Sequence, residues 1–182
     1  PDVNRSCPGF HGENGAIRYA LAAIKNVGAG AMEALVQERE TKGPYKDIFD
    51  FIERVDSKVL NKRQMENLIS AGVFDSLWPN RRELVENLEL FLRYGNEDKR
   101  SISLFGLEDS RPKLKKSEEW SPLEKLRFEF SAVGFYLTSH PLNAYEGALE
   151  QIGVTPVARM LTQIEEGNDS QTYRLAGIVI TK

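Results

Sequence analysis

A chain of 182 residues with 41% hydrophobic residues can bury a core, and it is expected to form one domain, or one domain and a fragment of another. Its formal net charge of −3 argues against the protein-wide basic field of a strong stand-alone nucleic-acid binder, so any phosphate contact has to be local. One cysteine and two distant histidines exclude a disulfide framework and a zinc site, and no apolar run approaches the ~20 residues of a membrane span. We therefore expect a cytoplasmic protein without a membrane partner.

Residues 1–16 are rich in Gly, Pro, Asn and Ser, a composition that predicts a loop or an edge strand. Val3 and Phe10 are the only larger apolar residues of this segment. The sequence opens at Pro1 without an initiator Met, which leads us to expect a piece of a longer protein.

The first glycine hairpin is the segment 26–30, Asn-Val-Gly-Ala-Gly. Apolar residues recur at helical spacing on both sides of it, which predicts two short amphipathic helices joined by a tight turn. Because glycine takes positive φ without strain, Gly28 and Gly30 let the backbone approach a charged partner closely, and the amides at the start of the following helix could hold a phosphate oxygen. The alternative is a structural corner in which the glycines only permit the turn. The apolar residues are Ile17, Leu21 and Ile24 before the turn and Met32, Leu35 and Val36 after it.

A second hairpin is predicted about forty residues later. A short helix carrying Ile48 and Phe51 leads to it, and Asn61 with Gln64 has the spacing of an N-cap and its partner. The helix that they start is expected to stop at residues 71–72, Ala-Gly. The two hairpins form an internal repeat, which buries apolar faces that neither copy could bury alone.

The charges around the second hairpin leave its role open. It has one glycine, Gly72, and Asp75 would repel a phosphate. Asn80 and Glu83 predict the start of the next helix. Basic residues flank the hairpin, so DNA contact and a solvated charged face are both possible interpretations. These basic residues are Lys62, Arg63, Arg81 and Arg82.

The second half of the chain changes character. Residues 96–120 carry charges of both signs and no helical or strand period, which predicts a flexible loop. The apolar patch at 101–107 within it is typical of a linear docking motif, although folding back onto the core is the alternative. Residues 121–168 are predicted to be a helical connector whose first helix starts at a Ser121 cap and ends at His140. Residues 173–181 predict a strand, the only convincing one in the chain.

Five blocks of sequence, in this order, resemble the C-terminal part of the bacterial replicative DNA polymerase III alpha subunits, over nearly the whole chain. The blocks are residues 1–4 (PDVN), 24–28 (IKNVG), 61–63 (NKR), 68–75 (LISAGVFD) and 134–141 (GFYLTSHP).

The resemblance implies a mainly α fold with a tandem helix-hairpin-helix domain at 17–95 that grips duplex DNA. It also implies a sliding-clamp motif in the loop 96–120, and a truncated OB-fold whose first strand lies in 169–182. The clamp motif of this family usually begins with Gln where this chain has Ser101, which predicts weaker docking. The catalytic carboxylates of the parent nucleotidyltransferase, with their Mg²⁺, would lie upstream of residue 1, so this fragment is expected to carry no catalytic residue, metal site or cofactor.

The sequence thus predicts two binding sites. The predicted partners are double-stranded DNA, the sliding clamp (beta subunit) and other replicase subunits, in a nucleoid-associated bacterial protein. The alternatives are a helix-hairpin-helix segment of a DNA repair nuclease or ligase, and a helical protein-interaction module without DNA binding. The predicted DNA contacts are Lys25, Asn26, Gly28, Ala29, Gly30, Lys62, Arg63, Gly72, Arg81 and Arg82, and the predicted clamp contacts are Ser101, Ile102, Ser103, Leu104 and Phe105.

Overall fold

The computed structural model describes residues 1–56, 59–96, 111–167 and 172–179. The described chain is mainly α-helical, as predicted, with one small β-hairpin. It divides into two compact units, Pro1–Leu137 and Thr138–Lys182, which are described separately. The domain boundaries drawn from the sequence stay predictions, but the helix that follows Ser121 packs with the first unit.

Residues 11–18 of the first unit form a β-hairpin, where the sequence predicted a loop or an edge strand up to residue 16 and a helix from Ile17. Strand β1, His11–Glu13, pairs antiparallel with strand β2, Ala16–Arg18. Asn14 and Gly15 between them both take positive φ, 51° and 78°, as a two-residue hairpin turn of the primed type requires. Ile17 is 80% exposed in β2, so the prediction that it begins the first helix is wrong. A single 3₁₀ turn, Leu21–Ala23, stands in place of that helix.

Six α-helices complete the described part of the first unit. Both capping boxes predicted from the sequence are confirmed: Asn61 with Gln64, and Ser121 with Glu124. Their reciprocal side-chain bonds satisfy amides that have no partner inside the helix, which fixes where these helices begin. The helices are α1 (Ala29–Lys42), α2 (Ile48–Arg54), α3 (Lys62–Ser70), α4 (Arg81–Glu86), α5 (Leu88–Asn96) and α6 (Pro122–Val133).

One core joins the two hairpins. The apolar faces of α1 to α5 meet in it, with Ala132 and Val133 of α6 added at one side. Edge-on aromatic contacts run through it, with ring centroids 5.0 Å apart for Tyr45 and Phe51 and 4.8 Å for Phe51 and Phe74. The largest fully buried side chains are Tyr45, Phe51, Phe74, Phe91, Leu21, Met32, Leu35, Ile48, Met65, Leu68, Ile69 and Leu84.

The first six residues are tied to distant parts of this unit. The Val3 amide donates to the Val73 carbonyl at 2.8 Å, and the Asn4 side chain exchanges two hydrogen bonds of 2.8 Å with the Tyr45 backbone. Arg39 of α1 donates to the carbonyls of Val3 and Ser6. These bonds make residues 1–6 a structural clasp between α1, the chain after α1 and the second hairpin.

Residues 111–121 form a strap along α4 and α5. Asn87, buried between these helices, holds the strap by donating from Nδ2 to the Lys115 carbonyl at 2.9 Å and accepting from the Lys115 amide at 2.8 Å. Asn87 also lies at the break where the single helix predicted after Asn80 is divided into α4 and α5. The two Asn87 bonds hold the strap on the first unit, and the flexible loop predicted at 96–120 stays a prediction; residues 97–110, with the predicted clamp contacts 101–105, lie outside the described residues.

Helix α6 is shorter than predicted. It ends at Gly134, whose φ of 102° provides the left-handed turn of a helix C-terminus, and not at His140. Its buried face includes Leu126 and Glu129. Glu129 accepts a 2.7 Å hydrogen bond from the Leu137 amide, so the chain turns back along α6 after the glycine.

The second unit contains a 3₁₀ turn, Pro141–Tyr145, and the helices α7, Glu146–Gln151, and α8, Val157–Glu165. None of its described residues is buried. Residues 172–179 form no strand, although Arg174 accepts a 2.8 Å hydrogen bond from the Thr155 amide through its carbonyl. The predicted first strand of an OB-fold is therefore not confirmed. Among the described residues, no helix has the length and apolar character needed to span a membrane.

Candidate nucleic-acid interface

The first hairpin is an exposed loop on two buried anchors. Ile24 and Val27 are at most 2% exposed and fix the loop to the core. Asn26 lies between these anchors and Gly28 follows them. Both take positive φ, 64° and 75°, and the chain reverses its direction there. The predicted DNA contacts at residues 25, 26 and 28–30 are all exposed.

The N-terminus of α1 is open to solvent. Gly28 is its N-cap residue, no side chain caps it, and its first turn has no acidic residue. A methyl group at Gly30 would meet no atom within 4 Å. The first amides of a helix have no acceptor inside the helix, and the aligned peptide dipoles place positive charge there. This is the geometry in which a helix N-terminus binds phosphate.

Gln64 links the N-terminus of α3 to the N-terminus of α1. Its Nε2 donates to the Val27 carbonyl at 2.7 Å, while its Oε1 accepts from the Asn61 amide at 2.8 Å. The same Nε2 lies 3.9 Å from the position of a Cβ at Gly28. The N-termini of α1 and α3 are therefore neighbours, and both contribute positive charge in a chain that is acidic overall.

Lys62 and Arg63, the first two residues of α3, add cations beside this pair of helix starts. Arg63 is exposed, and its guanidinium makes no ion pair with the described residues. Lys62 pairs with Glu89 at 2.6 Å, and this hydrogen bond raises the pKa of Lys62 and lowers that of Glu89. Because both side chains are exposed, the pair contributes little to stability and can be exchanged for a phosphate.

Lys25, which precedes the loop residue held by Gln64, contacts the end of α6. Its backbone amide donates to the Ala132 carbonyl at 2.9 Å, and its Nζ donates to the Ser131 carbonyl at 3.2 Å. The sequence predicted a phosphate contact for this lysine; in the structure its ammonium group is on the backbone of a neighbouring helix.

The second hairpin has its amides already in use. The Gly72 amide donates to the Ile69 carbonyl at 2.9 Å and the Val73 amide to the Leu68 carbonyl at 3.0 Å. Val73 and Phe74 are at most 1% exposed. Among the described residues the second hairpin therefore offers a phosphate no equivalent of the open α1 N-terminus, and the DNA contact at Gly72 stays a prediction.

Arg81 is part of the core rather than of a DNA-binding surface. Only 4% exposed, it makes a two-pronged ion pair with Asp75, with Nε to Oδ1 at 2.8 Å and Nη2 to Oδ2 at 2.6 Å. Its Nη1 donates to the Ser70 carbonyl at 3.0 Å and lies 3.9 Å from Oε2 of Glu129. A Cβ at Gly72 would lie 2.2 Å from Nη2, so this glycine makes room for the guanidinium. The prediction of Arg81 as a DNA contact conflicts with this burial.

The start of α4 is occupied by a carboxylate of the strap. Glu119 accepts hydrogen bonds from the backbone amides of Arg81 at 3.0 Å and Arg82 at 3.2 Å, and Lys125 pairs with it at 2.9 Å. Burial alone would raise the pKa of Glu119, but the Lys125 hydrogen bond and these backbone amides lower it. The Glu119 carboxylate thus occupies the N-terminus of α4, after the second hairpin, whereas the N-terminus of α1, after the first hairpin, is open to solvent.

Arg82 is exposed but paired within its own helix. Its Nε donates to Oε1 of Glu86 at 2.8 Å. Hydrogen bonds from Ser117, Arg82 and Lys115 lower the pKa of Glu86 to about 2. Lys115 and Lys116 of the strap pair with Glu86 and Glu83 of α4. Of the four basic residues predicted to contact DNA around the second hairpin, Arg63 is the one without an ion pair to the described residues.

Two residues of the interface were not identified from the sequence. Gln64 was predicted only as a helix cap, and Glu119 was given no role. The turn between β1 and β2 could have been predicted from the sequence, since Asn-Gly at 14–15 favours a two-residue β-turn. Among the described residues, no group of three or more His, Cys, Asp or Glu could hold a metal ion.

The open glycine hairpin, with α1 after it and a 3₁₀ turn before it, is consistent with a helix-hairpin-helix motif. The family model for the helix-hairpin-helix motif matches residues 1–84, which include the first hairpin, the α3 cap and the second hairpin.

Curated relatives identify the family more closely. The chain is 42% identical to the DNA polymerase III subunit alpha of Caulobacter vibrioides over 98% of its own length, and 38% identical to that of Borreliella burgdorferi over 93%. It is 37% identical to the subunit of Thermus aquaticus over 98%. The chain spans about 15–16% of the length of these relatives. It belongs to the DNA polymerase III alpha family as a segment, and the resemblance inferred from the sequence is confirmed.

Proposed function

We propose that the first unit binds duplex DNA without sequence preference, through the first hairpin, as part of a replicative DNA polymerase. The observation that carries the proposal is the open α1 N-terminus beside the start of α3. The amides of Gly28, Ala29 and Gly30 would hold phosphate oxygens of one strand, with Asn26 beside them and charge from Arg63 and Lys62. Contacts to phosphate position a protein on DNA but read no sequence, which suits a protein that moves over every sequence it copies.

This grip is expected to be weak by itself. The chain is acidic overall, and the second hairpin presents a carboxylate at its helix start where the first is open. Neutral amides and one or two cations release few counterions from DNA, so affinity should fall only gently with salt. A weak grip is compatible with sliding as long as another contact prevents escape.

The experiment is a titration of the chain with fluorescently labelled duplex DNA at several salt concentrations. We expect the logarithm of the association constant to fall with that of salt with a slope of about 1 to 3, since each neutralised phosphate contributes about 0.9. Arg63→Gln should reduce the slope by about 0.9. The matched control is Arg159→Gln in α8, an exposed helical arginine of the second unit, which should leave the slope unchanged. Absence of binding even at low salt would contradict the proposal.

We also propose that residues 101–105 attach the polymerase to a sliding clamp. Leu104 and Phe105 are an apolar pair in a polar segment, and a docked peptide of this kind would fill an apolar pocket. Both flanks of the segment are held on the first unit: α5 ends at Asn96, and Arg111 pairs with Asp47 at 3.1 Å. A clamp bound there would keep the hairpin at high effective concentration near DNA, which would compensate for its weak grip.

The double variant Leu104→Ala with Phe105→Ala tests the clamp proposal. It should abolish co-elution of the chain with a bacterial beta clamp in size-exclusion chromatography, because the pocket-filling side chains are removed. Duplex binding should stay unchanged, since the first hairpin is intact. Undiminished co-elution of the double variant would contradict the assignment of residues 101–105 as the clamp contact.

Nucleotide transfer, other replicase subunits, a cytoplasmic location and an OB-fold that begins in residues 169–182 belong to the same proposal. They rest on the family and concern the longer protein. The relatives favour a polymerase over a repair nuclease or ligase, because all three are named as DNA polymerase III alpha subunits.

A further inference from the structure

The conformation of the first hairpin is set from two sides. On one side Gln64 holds the Val27 carbonyl from the start of α3. On the other, Lys25 reaches the end of α6 with two hydrogen bonds, one from its backbone amide and one from its side chain. Residues 25 and 27 bracket Asn26, one of the two positive-φ residues of the loop. These bonds hold the chain on both sides of a left-handed residue, a conformation that asparagine adopts more readily than other non-glycine residues.

The end of α6 is a suitable place for the lysine charge. The last turn of α6 contains no basic residue of its own, and its final carbonyls carry the negative end of the helix dipole. Gly134, which ends the helix, leaves space for the lysine stem: a Cβ there would lie 3.3 Å from Cε and 3.4 Å from Nζ of Lys25. The ammonium group thus substitutes for the basic residue that helix C-termini commonly carry.

We propose that Lys25 is a positioning residue, which docks the DNA-binding hairpin on the C-terminal end of α6 and does not contact a phosphate. This inference rests on the proposed function of the hairpin and assigns Lys25 a different role from the one its charge suggested. It makes the end of α6 part of the DNA-binding machinery, although the sequence places α6 about a hundred residues after the hairpin. The hairpin then keeps the geometry for phosphate only while α6 is docked.

Salt dependence separates the two roles of a lysine. A lysine that neutralises a phosphate contributes about 0.9 to the salt slope, whereas a lysine that holds the loop changes affinity at every salt concentration alike. Lys25→Met keeps most of the aliphatic stem and removes the ammonium group. We expect this variant to bind duplex DNA three- to tenfold more weakly, with the salt slope of the parent chain. Lys25→Arg, which can still donate to the Ser131 carbonyl, should restore most of the affinity.

Two further measurements make the test independent of DNA. Hydrogen exchange at the amides of residues 26–30 should accelerate in Lys25→Met and return toward the parent rate in Lys25→Arg, while the urea midpoint of the whole chain stays unchanged. Gly134→Ala, which strains the left-handed end of α6 and crowds the lysine stem, should accelerate the same amides without altering any residue of the hairpin. These readouts apply even if the parent chain binds no DNA, so failure of the proposed function is distinguishable from failure of this inference.

A decrease of about 0.9 in the salt slope of Lys25→Met, with unchanged hairpin exchange, would identify a phosphate contact and overturn the proposal. Unchanged affinity and unchanged exchange would overturn it as well, because the docking bond would then have no effect on the loop.

Discussion

Gly30→Glu should reduce duplex affinity about tenfold or more, while the stability of the fold stays the same or rises slightly. The new carboxylate would lie in the first turn of α1, where it would compete for the open amides and repel a phosphate. The same charge interacts favourably with the helix dipole, and glutamate has a higher helix propensity than glycine. The space is free, since a Cβ at this position meets no atom within 4 Å.

The chain offers a matched control for this variant. Gly147 is the second residue of α7, as Gly30 is of α1, and a Cβ there also meets nothing within 4 Å. Gly147→Glu adds the same charge at the same helical position in the second unit, so it should leave duplex affinity unchanged. Fluorescence anisotropy and urea denaturation of both variants provide the comparison. Equal affinity of Gly30→Glu and the parent chain would show that the α1 N-terminus is not the phosphate site.

Arg81→Met is the substitution with the largest expected effect on stability. It removes the guanidinium that pairs with Asp75 and lies 3.9 Å from the fully buried Glu129. The Asp75 side chain is 42% exposed and can be hydrated, so the cost comes from Glu129, whose side chain is 1% exposed. Removing one partner of a buried ion pair costs about 3–5 kcal/mol, because the remaining charge loses its compensation inside the protein. The free energy of unfolding from urea titration measures the loss, and an unchanged m-value would assign it to stability.

The neighbouring arginine is the control for Arg81→Met. Arg82 has the same side chain, one residue later in the same helix turn, but it is exposed and pairs only with Glu86 among the described residues. Arg82→Met should leave the unfolding midpoint unchanged within error, since exposed pairs of this kind contribute little. A comparable destabilisation by both substitutions would contradict the structural role assigned to Arg81.

Local chemistry explains what could be predicted from the sequence. The helix starts at Asn61 and Ser121 were found because an N-cap and its partner are three residues apart and act on each other directly. The turn residues Gly28 and Gly72 were found for the same reason, since positive φ favours glycine locally. The mainly α class follows from periodicity that each helix carries within itself.

Long-range contacts explain what could not be predicted. Gln64 holds Val27 across 37 positions, Glu119 reaches Arg81 across 38, and Lys25 reaches Ser131 across 106. No local pattern distinguishes such a side chain from a solvated one, so Arg81 looked like a DNA contact and Glu119 like part of a loop. The prediction of a first helix from Ile17 was wrong for a local reason. Ile17 did fit a helical period, but the Asn-Gly turn before it favoured a β-hairpin, and the turn prevailed.

The structural clasp at residues 1–6 has a consequence for how this region forms during translation. The Val3 amide pairs with the Val73 carbonyl, and the Asn4 side chain pairs with Tyr45. Residues 1–6 leave the ribosome before these partners, which are made about 40 and 70 residues later, and must therefore wait for them. Contacts between positions so far apart in sequence slow folding, because the loop between them must be closed first. We expect the clasp to be among the last parts of the first unit to become ordered on a nascent chain.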